Sequence, residues 1–312
     1  MNYFLHSNTR LQIATSLLFA VTFLSCGNTS QKDQAVIDIP YPQPFPDSTT
    51  LAFLPGLVSI DSFDFNATFS PDGKSFYFSR ALNGRPSIFV THYSLRKWAE
   101  PVLVSTPGTN YSDADPAFGP DGKLYFISDR PINASDTTDD FDIWFSSPVD
   151  NGGWSAPENM RTVNSDSNEF YISFSEKGNM YFASSRKGGL GEEDIYVSRL
   201  INGQYTTPDN LGAAVNSPKS EFDPGISPKE DLLIFASSGR DDSYGAADLY
   251  YAKTDNNGKW QQAGNLGGNI NTKSRDFCPS LPPGSKYFFF SSERDVKWVS
   301  TRYLYQQIDK SK

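Results

Sequence analysis

Ser70-Pro71-Asp72-Gly73-Lys74-Ser75-Phe76-Tyr77-Phe78-Ser79-Arg80 joins a tight turn to a run of aromatic residues that closes on Ser-Arg. Proline presets one turn dihedral and glycine accepts a positive φ, so Pro-Asp-Gly ahead of an apolar run predicts a β-hairpin. The aromatic run recurs as Tyr125-Phe126-Ile127-Ser128-Asp129-Arg130, Tyr181-Phe182-Ala183-Ser184-Ser185-Arg186, Ile234-Phe235-Ala236-Ser237-Ser238-Gly239-Arg240 and Phe289-Phe290-Ser291-Ser292-Glu293-Arg294. Successive arginines are 50, 56, 54 and 54 residues apart, and a period of that length is the mark of a repeat architecture.

Each unit holds about four short strands. A turn precedes the aromatic run every time: Gly119-Pro120-Asp121-Gly122, Ser175-Glu176-Lys177-Gly178, Ser227-Pro228-Lys229-Glu230 and Pro282-Pro283-Gly284 follow the first. A Gly- or Asp-rich loop then leads to a third strand, at Ser87–Val90, Asp142–Phe145, Asp194–Val197 and Asp248–Tyr251, and more loosely at Arg302-Tyr303-Leu304-Tyr305. Trp98-Ala99-Glu100-Pro101, Trp154-Ser155-Ala156-Pro157, Tyr205-Thr206-Thr207-Pro208 and Trp260 mark a fourth segment, where proline suits an outer edge. The pattern predicts an all-β protein, a β-propeller of five blades of four antiparallel strands. No helix of ordinary length is expected after the N-terminal apolar run.

The fifth repeat ends without a fourth strand. Leu54, Val58, Ser59 and Asp64 share the spacing of Leu211, Val215, Asn216 and Glu221, so residues around 50 to 60 are expected to supply the missing outer strand and close the ring. A six-bladed ring is the alternative, if Ile37 to Thr50 hides a degenerate blade.

The repeat also resembles a known family. Ser70-Pro71-Asp72-Gly73, the aromatic strand closing on arginine, Arg186-Lys187-Gly188-Gly189-Leu190-Gly191-Glu192-Glu193-Asp194-Ile195-Tyr196, and Asn210-Leu211-Gly212 through Val215-Asn216-Ser217 are similar to the WD40-like PD40 repeat. That repeat builds the TolB-like propellers and those of many envelope lipoproteins of the Bacteroidetes type. The resemblance implies a binding or scaffolding role and spans residues from about 50 to the C-terminus; it speaks for the fold far more than for the function.

The N-terminus reads as an export signal. Arg10 precedes an apolar run from Leu11 to Leu24 that ends in Leu24-Ser25-Cys26-Gly27, similar to a bacterial lipobox in which the cysteine is acylated. The expected organisation is a signal peptide at 1–25, a lipid-anchored flexible linker at 26–49 and the propeller at 50–312. Cys26 is the expected lipidation site, on the outer membrane, at its periplasmic face or the cell surface. With Cys26 acylated, Cys278 has no disulfide partner, and the core must rest on aromatics, 14% of the chain.

The net charge of −9 becomes one unit more negative when the signal is removed, which argues against nucleic acid and against electrostatic binding to anionic lipid. The membrane is therefore expected to be met only through the lipid anchor. His92 is the sole histidine beyond the signal, and no Gly-x-Ser-x-Gly elbow is present, so a histidine-based triad and histidine- or cysteine-based metal sites are excluded.

One acidic residue recurs just before each innermost strand: Asp64, Asp113, Glu169, Glu221 and Asp276. Hairpin geometry predicts that each sits beside the arginine of its own unit, Arg80, Arg130, Arg186, Arg240 or Arg294, as a ring near one mouth of the channel. Two readings follow: a structural lock in every blade, which the repetition favours, or a polar ring that grips a sugar, peptide or cation. Catalysis by carboxylates wants two of them in different environments, which equivalent positions do not offer. A second set, Asp136, Asp139, Asp140 and Asp142 with Glu192, Glu193, Asp194, Asp241 and Asp242, lies in the loops; these are expected as solvated acidic loops, with calcium the alternative. No other cofactor is expected. The sequence thus points to a non-catalytic envelope lipoprotein binding a protein partner or a glycan or peptide ligand. The competing reading is a carboxylate-dependent propeller glycoside hydrolase.

Overall fold

The computed structural model describes residues 38–60, 62–106, 111–150 and 152–310; the apolar N-terminal run and Cys26 lie outside the described residues. Among the described residues, the strands form five antiparallel blades. The innermost strands are Asp64–Phe69, Asp113–Phe118, Glu169–Phe174, Ser220–Ile226 and Phe277–Ser280, and neighbouring ones touch all the way round the ring. The aromatic runs of the sequence are the second strands, Ser75–Leu82, Leu124–Ser128, Met180–Ser184, Leu232–Ser238 and Tyr287–Ser292.

Alternation along these second strands welds the blades together. Side chains of a strand point to opposite faces in turn, and in a propeller both faces are buried. In blade 5, Phe288 and Phe290 pack with Phe222, Ile234 and Tyr251 of blade 4, whereas Tyr287 and Phe289 pack with Phe69 and Phe76 of blade 1. In blade 4, Leu233 and Phe235 turn instead to Tyr181 and Val197 of blade 3. Each fully buried aromatic of this kind is worth about 1.5–3 kcal/mol.

The ring closes as the spacing predicts. Leu51–Ala52 is the outer strand of blade 5, pairing antiparallel with Asp295–Ser300 through Leu51 opposite Trp298 and Ala52 opposite Lys297. Phe53, next along, is fully buried, 4.7 Å from the ring of Phe76 and 5.4 Å from that of Trp298, so the two chain ends share one aromatic cluster. Packing also extends into the stretch expected as a linker. Ile39 is buried, Tyr41 lies 4.7 Å from Tyr287, and the Trp98 indole donates to the Pro40 carbonyl at 3.1 Å.

Three sequence expectations need correction. The third strand of blade 5 is Asp295–Ser300, not Arg302–Tyr305: Glu293 and Arg294 both take positive φ, making a two-residue turn directly after the aromatic run. The chain then forms a helix, Thr301–Lys310, where no helix was expected. Ser300 caps it, accepting a hydrogen bond from the Tyr303 amide at 3.2 Å, and Leu304 and Ile308, one turn apart, bury against blades 4 and 5. Finally, the fourth strands lie beyond the tryptophan or tyrosine segment rather than within it: Val102–Leu103, Glu158–Asn159, Asp209–Asn210 and Gly264–Asn265. The Trp and Tyr segments pair instead with the end of the third strand or just beyond it, as at Tyr93–Trp98 and Leu200–Tyr205.

Candidate functional site

In four blades the recurrent acid meets its arginine. Arg80 Nε donates to Asp64 at 2.5 Å, Arg130 Nη2 to Asp113 at 2.7 Å, Arg186 Nη2 to Glu169 at 3.0 Å and Arg240 Nη2 to Glu221 at 2.9 Å. The arginine is held from further sides. Arg186 and Arg240 also donate to the carbonyls of Val163 and Val215 in the preceding connection, and Arg80 to those of Leu57 and Val58. Each guanidinium lies over rings of its own blade: Arg186 over Phe182 and Tyr196, Arg240 over Phe235 and Tyr250. The carboxylates complete the grip by tying down the same connection, Glu169 accepting from the Ser165 amide and Glu221 from the Ser217 amide. Burial still pushes the Asp64, Asp113, Glu169 and Asp276 carboxyls upward, against the pull of their hydrogen-bond partners.

Blade 5 departs from the pattern. Arg294 is spent in the two-residue turn, with its guanidinium 5.9 Å from the Phe63 ring, and Asp276 accepts from the Thr272 amide and hydroxyl instead. The expectation of five acid–arginine neighbours therefore fails at its last member, because the early turn leaves Arg294 facing the wrong blade.

These acids do not line the axial cavity. That cavity, about 250 Å³, is built by the residues one and two places further along the innermost strands. At the first place stand Phe65, Ala114, Phe170, Phe222 and Phe277; at the second, Asp115, Asp223 and Cys278 reach the cavity. Every innermost strand carries a bulge here, and its second-place residue, Asn66, Asp115, Tyr171, Asp223 or Cys278, takes a positive φ. The bulge is what turns these side chains toward the axis. Asn and Asp accept that backbone readily, whereas Tyr171 and Cys278 hold it at a cost.

The cavity wall is aromatic, with Phe141 5.8 Å from Phe170 and Phe65 6.1 Å from Phe277. Arg275 lies along it, 4.7 Å from the Phe222 ring and 5.1 Å from Phe277. Asp115 and Asp223 are each only 6% exposed. Asp115 accepts from Asn66 Nδ2 at 3.4 Å; Asp223 Oδ2 accepts the Cys278 amide at 3.1 Å and its thiol at 3.4 Å. Burial, and then the like charge of Asp223, raises the Asp115 carboxyl well above the usual range; burial does the same to Asp223, against the opposing pull of Arg275. Burial likewise drives up the Cys278 thiol and the Tyr171 phenol, whose hydroxyl crosses between blades to the Pro279 carbonyl at 2.8 Å.

Of the loop acids, Glu193 reaches the cavity and accepts from Ser220 Oγ at 2.7 Å. Asp194 holds the Leu190 and Gly191 amides, Asp136 caps its own loop through Ile132 and Thr138, and Asp242 accepts the Tyr250 hydroxyl at 2.7 Å. Asp142 accepts Asn159 Nδ2 at 2.7 Å, and burial pushes it up to about 7. Among the described residues no group of three or more His, Cys, Asp and Glu side chains is placed to hold a metal ion.

Fold and cavity together define the class: a five-bladed β-propeller with a closed acid–arginine lock in four blades and an aromatic axial pocket floored by carboxylates. Solved structures with a similar fold include a thermostable family-43 glycoside hydrolase (15% identity, 78% of this chain and 90% of that one, TM-score 0.51). The endo-arabinase of Bacteroides thetaiotaomicron is similar at 15% identity, 82% and 96% coverage and TM-score 0.51. TolB of Acinetobacter baumannii aligns at 16% identity and TM-score 0.46 over 76% of this chain, which spans about half of that protein (54%). At these identities the likeness is one of fold. The sequence matches no family model and no curated protein.

Proposed function

We propose that this propeller is a non-catalytic binding module that takes its ligand in the axial pocket. The observation that carries the reading is the division of labour among its carboxylates. The repeated acids are consumed by the blade locks, while the variable positions beside them build one concave aromatic site with a few polar groups, the usual form of a ligand pocket. Asp115 and Asp223 sit in similar surroundings, both buried and both raised, whereas an acid and base pair needs its two members pushed apart. The reading requires no cofactor. The protein is proposed to be a PD40-type envelope lipoprotein, anchored through Cys26 to the outer membrane and presenting the pocket to a glycan, a peptide or a protein partner.

One observation favours the second reading, a glycoside hydrolase: three carboxylates, those of Asp115, Asp223 and Glu193, reach the same cavity. The two separate experimentally. The purified domain is screened on glycan and peptide arrays and, in parallel, against a panel of aryl glycosides. Capture of a ligand that is lost in Phe170→Ala, with no hydrolysis, is the expected result. Hydrolysis that disappears in Asp115→Asn or Asp223→Asn overturns it.

A further inference from the structure

The axial pocket is lined by more acidic side chains than basic ones. Asp115, Asp223 and Glu193 contribute carboxylates to the lining, and Arg275 is the one cation among the residues that form it. Arg275 meets two ring faces and makes no ion pair with either floor carboxylate among the described residues. Asp223 is only 6% exposed, its Oδ2 is taken by Cys278, and its side chain lines the cavity. A buried carboxylate without a counter-charge is costly, and in the blade locks the same chain supplies an arginine for each of four such acids. At the pocket floor it supplies only Arg275, whose charge bears on Asp115 and Asp223 while its guanidinium pairs with neither and rests on Phe222 and Phe277.

The walls select the same kind of guest. Aromatic faces attract cations, and here they already hold one, the guanidinium of Arg275 against Phe222 and Phe277. Phe65 and Phe170 extend the surface around the axis. The cavity of about 250 Å³ suits a single cationic side chain or a small amine rather than an oligomer.

We propose that the axial pocket binds an organic cation, an alkyl guanidinium or ammonium whose carbon chain lies on Phe65, Phe170 and Phe222 and whose N–H donors reach Asp115 and Asp223. The inference rests on the axial pocket being the ligand site. The guest is either a free small cation or an arginine or lysine side chain, and the chemistry at the floor is the same for both.

The test compares isosteres that differ in charge alone. Calorimetric titration of the purified protein with n-butylguanidinium and with the neutral n-butylurea is expected to show at least tenfold tighter binding of the cation. Acetyl-Gly-Arg-Gly-amide against its citrulline counterpart repeats the comparison for a side chain; binding by the peptide alone assigns the guest to a polypeptide, and by butylguanidinium alone to a free cation. Asp223→Asn is expected to weaken the cation tenfold or more and leave the neutral probes unchanged, with Asp115→Asn as the second variant should the first unfold. Equal affinity for cation and neutral isostere, in a pocket that Phe170→Ala still empties, overturns the cation inference and keeps the ligand site. Ligands captured on the arrays whose binding ignores Phe170→Ala, Asp115→Asn and Asp223→Asn overturn the site itself.

Discussion

Arg240 and Glu221 meet at 2.9 Å inside blade 4, the carboxylate fully buried, whereas Asp276 and Arg294, at the corresponding places of blade 5, do not pair. This difference supplies an internal control for the lock. Glu221→Gln and Arg240→Ala should each cost about 1 to 3 kcal/mol, because each strands a buried partner. The double variant should cost less than the sum of the singles. Arg294→Ala should stay within about 0.5 kcal/mol. Urea titrations showing no coupling between Glu221 and Arg240, or equal damage at Arg294, would remove the lock from the account.

Closure by the N-terminal segment gives a graded truncation series. The chain that begins at residue 38 sets the reference melting temperature. Removing residues up to Asp47 deletes Ile39 and Tyr41 from the cluster around Trp298 and should lower it, and removal through Phe53 should abolish cooperative unfolding. Phe53→Ala alone should cost about 3 to 5 kcal/mol. Identical melting of the first and last truncations would contradict the closure seen at Leu51 and Ala52.

The C-terminal helix covers the seam between blades 4 and 5. Leu304→Ala should destabilise by about 2 to 5 kcal/mol, since Leu304 is fully buried, and Ser300→Ala by about 1 kcal/mol through loss of the cap. Equilibrium denaturation checks both, and a neutral Leu304→Ala would mean that the helix merely rests on the ring.

Raised carboxyls set the direction of the pH dependence. Asp142, at about 7, and Asp115 and Asp223 hold protons in the folded chain that the unfolded chain has already released. Their contribution to stability is complete below the unfolded value, near 4, and is lost as pH rises through the folded values. Melting temperature should therefore rise from pH 8 to about pH 5.5. Asp142→Asn, which keeps the shape and removes the titration, should shrink that rise; a steady fall over the same interval would refute the assignment.

Lipidation makes a prediction independent of the ring. Cys26→Ala should move the protein from the membrane fraction to the soluble fraction, and unchanged membrane association would exclude acylation there.

Much of the architecture was legible in the sequence because a blade is a local object. Turn, aromatic strand and Asp-led third strand each depend on residues close in the chain, so repetition at Arg80, Arg130, Arg186 and Arg240 exposed the period and predicted the pairing with Asp64, Asp113, Glu169 and Glu221. The spacing shared by Leu54 and Val58 with Leu211 and Val215 likewise located the closing strand. Repetition misled where a blade stopped repeating. Glu293 and Arg294 resemble the end of an aromatic strand, yet a two-residue turn there depends on the register of Asp295–Ser300 against its neighbours.

The pocket was decided by tertiary structure. Asn66, Asp115, Tyr171, Asp223 and Cys278 share a backbone position but no single residue type, so a search for sameness passes over them. What they share is a bulge that points each toward an axis existing only once five blades have closed. Sequence sets how each blade folds; the ring alone brings Asp115 of blade 2 and Asp223 of blade 4 into one cavity, because no local interaction spans the residues between them.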